Sequence, residues 1–120
     1  MMTGTHAILY STDADADRAF LRDVLGFPHV DAGGGWLIFQ LPPAELGVHP
    51  AEGGAPSSEL YLMCDDLDAT LAVLAAKGVH TVGERSEARW GVRAWIPLPS
   101  GATLGLYEPR HPVARDLLGP

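Results

Sequence analysis

The sequence predicts an α+β fold in which two tandem β-α-β-β-β units share a curved mixed β-sheet cleft, and three observations predict it. The chain echoes itself: His6-Ala-Ile-Leu-Tyr-Ser-Thr-Asp13-Ala-Asp15 is answered by Glu59-Leu-Tyr-Leu-Met-Cys-Asp-Asp66-Leu-Asp68. Leu41-Pro42 and Leu46-Gly47-Val48-His49-Pro50 are answered by Leu98-Pro99 and Leu104-Gly105-Leu106-Tyr107-Glu108-Pro109. In each copy a strand pattern precedes a helical pattern, and further strand patterns follow. Between the copies, Glu52-Gly-Gly-Ala-Pro-Ser-Ser58 is rich in turn formers and reads as a linker. A repeat of roughly 50 residues present only twice is too short for a solenoid. One copy alone sits near the lower size limit for a stable core, so the halves must share one.

The elements follow in order. Residues 5–11 read as a strand, after which Asp13 or Asp15 can cap a helix whose Ala16, Phe20, Leu21, Val24 and Leu25 recur at helical spacing up to Gly26. A short strand near 29–32 precedes the Gly33-Gly34-Gly35 turn, an apolar strand over 36–41, the Pro42-Pro43 turn and a short strand over 45–49. The second copy repeats this with a strand at 59–64, a helix from about Leu67 to Lys77 ended by Gly78, and strands near 79–83, 92–98 and 103–108. One domain spans residues 1–120, with module 1 over about 4–51, the linker over about 52–57, module 2 over about 58–110 and a tail over 111–120 that is polar and frayed apart from Leu117 and Leu118.

Composition excludes several function classes. Hydrophobic residues make up 47% of the 120, enough for a core, and the net charge is −7. The Lys and Arg residues total 8 and are scattered, so nucleic acid is not an expected partner. No apolar run approaches the length of a membrane-spanning helix, and the N-terminus lacks a signal-peptide pattern, which predicts a cytoplasmic protein that does not engage a membrane. The single cysteine, Cys64, falls in an apolar strand pattern and reads as a buried, inert thiol. Gly33-Gly34-Gly35 does not open a helix after a strand and so makes no phosphate loop, and no Gly-x-Ser-x-Gly elbow is present.

Side-chain alternation separates two faces. His6, Ile8 and Tyr10 share one face of the first strand; Glu59, Tyr61 and Met63 share one face of its counterpart, opposite Leu60, Leu62 and Cys64. The second group suits packing under helices, whereas the first mixes an imidazole, a carboxylate, phenols and a thioether on an apolar ground, as a ligand cleft does. Tyr10, Tyr61, Met63, Trp95 and Tyr107 are candidate ligand contacts. So is Trp90, a loop residue flanked by Arg89 and Arg93 that could close over a flat or anionic ligand. Glu108 has the wrong parity relative to Gly105 and should point away from this face. Glu45 has the right parity but falls at the sheet rim, and His29, His80 and His111 fall at solvated loop or tail positions.

The duplicated unit, with His6 in its first strand, Asp-Asp-Leu-Asp-Ala at 65–69 and the closing Pro-Ser-Gly-Ala-Thr-Leu-Gly-Leu-Tyr-Glu-Pro, resembles the vicinal oxygen chelate superfamily. That group includes glyoxalase I, extradiol dioxygenases and bleomycin-resistance proteins. In its metal-using members the resemblance implies ligands in the first and last strand of each module, here at His6, Gly47, Glu59 and Gly105. Two of these four can ligate. His49, two residues beyond Gly47 and on the same face, lies about 6 to 7 Å along the strand and can stand in for it. His6, His49 and Glu59 would then form a 2-His-1-carboxylate set for a divalent Fe, Ni, Zn or Mn ion, with no organic cofactor.

Two functions stay open. In one, a metal-dependent lyase or extradiol-dioxygenase-like enzyme uses the ion to stabilise charge on adjacent substrate oxygens, with Glu59 as ligand or as general base. In the other, a metal-free protein sequesters a planar drug or metabolite, and Gly47 and Gly105 leave it room. Both take a small organic molecule as partner, and both suit a homodimer whose clefts are completed within one chain or by exchange across a two-fold axis.

Overall fold

Two capped helices anchor the structure. In the computed structural model, which describes residues 4–50, 53, 54 and 57–117, α1 spans Ala14–Asp23 and α2 spans Leu67–Ala76. The Asp13 carboxylate accepts from Ala16 N–H at 3.2 Å and that of Asp66 from Ala69 N–H at 3.0 Å, each meeting a donor that the first helical turn leaves unpaired.

Among the described residues, six strands make two sheets. β1 (His29–Asp31) and β2 (Leu37–Phe39) form an antiparallel hairpin around the triple-glycine turn. There the Asp31 carboxylate accepts from Gly33 N–H at 2.8 Å and Gly35 N–H at 3.3 Å. The larger sheet contains β3 (Tyr61–Met63), β4 (Ser86–Ala88), β5 (Gly91–Pro97) and β6 (Thr103–Pro109) in the order β3-β6-β5-β4. β3 runs parallel to β6, with Tyr61 opposite Gly105 and Met63 opposite Tyr107; β5 runs antiparallel to β6, with Arg93 opposite Tyr107 and Trp95 opposite Gly105. The architecture is the mixed α+β kind expected, and within the protomer the two sheets share no ladder.

The core lies on one face of the larger sheet. Val92, Ala94 and Ile96 of β5, Leu104 and Leu106 of β6, and Leu67 and Leu74 of α2 are buried together with Leu98. Phe20, Val24 and Leu25, on and just after α1, pack against this cluster, so the helix of module 1 is seated on the sheet of module 2. Asp17, 5% exposed, fixes that seat: its carboxylate accepts from Ser100 N–H at 3.0 Å and from the Ser100 hydroxyl at 2.8 Å. Lys77 Nζ adds a bond to the Val24 carbonyl at 2.9 Å.

Three expected strands are not formed. Residues 5–11 carry the alternation of a strand but, among the described residues of the protomer, have no neighbouring strand to take their N–H and C=O groups, and a strand exists only as part of a ladder. Residues 45–49 lie between Pro43 and Pro50, neither of which can donate to a ladder, and also remain unpaired. Over 79–83 the chain makes one sheet-like bond, Val82 N–H to Trp95 C=O at 2.9 Å, before Gly83 turns it at φ +69°; β4 forms just beyond, where no strand is expected. The tail also differs. His111 stacks near Tyr107, Ala114 N–H donates to Glu45 Oε1 at 2.9 Å and Arg115 reaches Met63 Sδ at 3.9 Å, so residues 111–115 lie against the body of the protein. Part of the linker, residues 52, 55 and 56, lies outside the described residues, as does Leu118.

Candidate ligand-binding face

The face of the larger sheet opposite the core carries Tyr61 and Met63 from β3, Arg93 and Trp95 from β5, and Gly105 and Tyr107 from β6. Each of these side chains alternates with a buried or half-buried apolar neighbour, so strand parity alone sorts them onto one surface. Trp90, on the turn into β5, leans over it with its ring centroid 5.7 Å from that of Tyr107. Tyr61 lies edge-on to Trp95 at 6.4 Å and 6.2 Å from Tyr107. Edge-to-face and tilted pairs at these separations are favourable through the ring quadrupoles.

Arg93 sits among the rings. Its guanidinium carbon is 5.0 Å from the ring centroid of Trp90, 5.5 Å from Trp95 and 5.8 Å from Tyr61. One Nη donates to the Tyr61 hydroxyl at 3.1 Å and the other to the Ser86 hydroxyl at 3.1 Å; the Tyr61 hydroxyl in turn donates to Glu59 Oε2 at 3.2 Å. The Tyr107 hydroxyl donates to the Trp90 carbonyl at 3.0 Å. Burial, with the charge of Glu45 second, pushes the Tyr107 pKa up, so this phenol is held as a neutral donor.

The glycines of the face are occupied by the protein itself. A Cβ at Gly105 would strike the ring of Tyr61, and one at Gly91 would strike the ring of Tyr107 and lie 2.7 Å from the Glu108 carbonyl. Gly105 therefore makes room for an aromatic side chain rather than for a ligand. Gly47 is open, meeting only the imidazole of His49, whose Nε2 lies 3.8 Å from where its side chain would begin.

Of the residues expected at the site, Tyr61, Met63, Trp90, Trp95 and Tyr107 share this face, with Glu59 at its edge. His6, Tyr10 and His49 are exposed on module 1. Alternation missed Arg93 as a site residue, although its parity with Trp95 and its place beside Trp90 were signals for it. Glu108 points to the core side as expected, accepting from Leu67 N–H at 2.8 Å at the start of α2. Burial pushes the Cys64 thiol up in pKa, consistent with an inert thiol. Glu45 and His111, expected at the rim and in solvent, instead meet each other, His111 Nε2 lying 3.8 Å from Glu45 Oε2.

The family model of the Glyoxalase/Bleomycin resistance protein/Dioxygenase superfamily matches residues 5–109. The chain belongs to this superfamily. No curated protein matches it at the sequence level. Among solved structures it is similar to TnmS3, an antibiotic binding protein from Streptomyces sp. CB03234, with 27% identity, a TM-score of 0.58, and 91% of this chain and 99% of that one covered. A glyoxalase/bleomycin resistance protein from the same organism matches at 27% identity and a TM-score of 0.53, covering 80% of this chain and 91% of that one. A lactoylglutathione lyase from Agrobacterium tumefaciens, at 21% identity and a TM-score of 0.59 with 88% and 96% covered, shares the fold.

The donors that the superfamily resemblance implies do not gather in one protomer. Among the described residues, no three His, Cys, Asp or Glu side chains lie where one ion could join them. The Glu59 carboxylate is engaged by Tyr61, and the ring of Tyr61 covers the position at Gly105.

Proposed function

We propose that this superfamily member is a small-molecule-binding protein that holds a planar organic ligand against the aromatic face of its larger sheet and sequesters it without a metal. The cluster of Tyr61, Trp90, Trp95 and Tyr107 around Arg93 carries this reading: four rings within stacking reach on one open sheet face offer large apolar contact area with polar handles at the edges. Gly105 and Gly91 support it, since both are spent on seating those rings. The likeness to an antibiotic binding protein points the same way. Quenching of tryptophan fluorescence by planar aromatic compounds tests the reading. Saturable quenching that survives a chelator and is lost in Trp90→Ala supports it; the absence of quenching by any planar compound overturns it.

The protein acts as a homodimer in this reading, and a second copy of the chain is what covers module 1. Tyr10 is 92% exposed, Leu46 89%, Val48 87% and Ile8 63%, although their alternation is that of half-buried strands. The radius of gyration, 15.3 Å, exceeds the about 13.6 Å expected of a compact chain of this length. Exchange across a two-fold axis would give residues 5–11 a ladder and place module 1 over the aromatic face of the partner.

A second reading, a divalent ion held by His6, His49 and Glu59 across two protomers, draws on the His49 imidazole lying beside Gly47. Metal analysis of protein purified without chelator or histidine tag decides it. A stoichiometric divalent metal lost in both His6→Ala and Glu59→Ala would establish the ion and displace the metal-free reading.

A further inference from the structure

Among the described residues no carboxylate forms an ion pair with Arg93; its hydrogen-bond partners are two neutral hydroxyls. A guanidinium has five N–H donors in a planar fork. Two are met by Tyr61 and Ser86, and the Nε–H is buried with no partner at all. An unmet charged donor in a low-dielectric setting is costly, and cation–π contact with three rings offsets only part of that cost. What sets Arg93 apart from the other cations is burial without a partner: its Nε is the buried side-chain donor that no acceptor meets among the described residues, whereas Arg18 and Arg85 face Asp15 and Asp68.

Resting on the sequestration reading above, we propose that Arg93 selects the ligand, and that the ligand class is a planar aromatic anion, carrying a carboxylate or an ionised phenol. The flat body lies on the rings of Trp90, Trp95, Tyr61 and Tyr107 while the anionic oxygen takes the unused donors of the guanidinium. Trp90 is the nearest of the three rings and stands on a turn, so a rotation of its side chain can uncover the fork while its ring remains a wall for the ligand. Tyr61 holds the guanidinium in place through its hydroxyl, which passes the far side of the network to Glu59. A neutral ligand of the same shape would keep the stacking and leave the charge unmet, so charge rather than area distinguishes the two.

The test compares 2-naphthoate with 2-naphthamide, equal in size and differing in charge, titrated into the ¹⁵N-labelled protein while the indole N–H signals are followed. Trp90 and Trp95 should shift. Naphthoate should bind about tenfold or more tightly than the amide, the factor expected of a charge-assisted hydrogen bond, and its affinity should fall with added salt. Arg93→Met, which keeps the length of the stem, should abolish the preference for naphthoate over the amide; Arg93→Lys should retain part of it. Equal binding of the two probes to the wild-type protein overturns the role of Arg93 and leaves the planar reading standing. Binding of neither overturns both. The wild-type comparison needs no variant, so misfolding of Arg93→Met would not rescue the proposal.

Discussion

Gly105 is occupied by the ring of Tyr61, and that turns one apparent vacancy into a test of the aromatic face. Gly105→Ala should displace Tyr61, releasing Arg93 from its hydroxyl, and cost about 1–3 kcal/mol as an overpacked site does. Urea unfolding monitored by fluorescence would read the loss, and binding of planar ligands should weaken with it. Gly105→Glu should be worse. Gly47→Glu, by contrast, meets only the His49 ring at 3.8 Å and should leave stability within about 0.5 kcal/mol of wild type, as exposed substitutions do. If it also creates tight Ni²⁺ binding in calorimetry, His49 and the new carboxylate are close enough to share an ion.

At the scale of elements, the seat of α1 on the second module's sheet depends on one buried carboxylate. Burial pushes the Asp17 pKa up, but the hydroxyls of Ser11 and Ser100 and the N–H of Ser100 outweigh it and hold the group below its ordinary value. A carboxyl depressed in the folded state contributes stability in full above its unfolded pKa, near 3.9, and loses it as the pH falls through the lower folded value. Asp17→Asn should therefore lose about 1.5–3 kcal/mol near neutrality, the range for hydrogen bonds to a charged group. Its stability should then vary less than wild type's below about pH 4, as measured by urea midpoints across pH. Glu108→Ala should loosen α2 by about 1 kcal/mol, because Leu67 N–H at the helix start loses its acceptor.

For the whole molecule, the expected outcome is a dimer near twice 12.7 kDa by light scattering at micromolar concentration. Tyr10→Asp and Val48→Asp should each shift it toward monomer, since both side chains would be buried only by the second copy. A monomeric mass for the wild-type chain would remove the reason for their apolar character. The superfamily fold could be read from the chain through its duplication, because two echoed strand-helix patterns admit few arrangements. The face of β3 was legible for a related reason: period-2 alternation places Tyr61 and Met63 together wherever the strand is set.

Local order of this kind is what the sequence by itself determined: a capped start of α1 at Asp13 or Asp15, the parity of β3 and β6, and the placement of Glu108 away from the aromatic face all follow from patterns within a few residues, and the structure assigns the caps to Asp13 and Asp66. Only the tertiary structure decided which edges meet. Residues 5–11 have the alternation of a strand and, among the described residues of the protomer, no partner, while Ser86–Ala88, without a strand pattern, lies in register with β5 and becomes one. Strand formation is a property of two segments, so the chain's own pattern could state half of it. The same holds for Arg93: its position on the face was set by parity, but its unpaired charge among three rings exists only once β3, β5 and the Trp90 turn have been brought together.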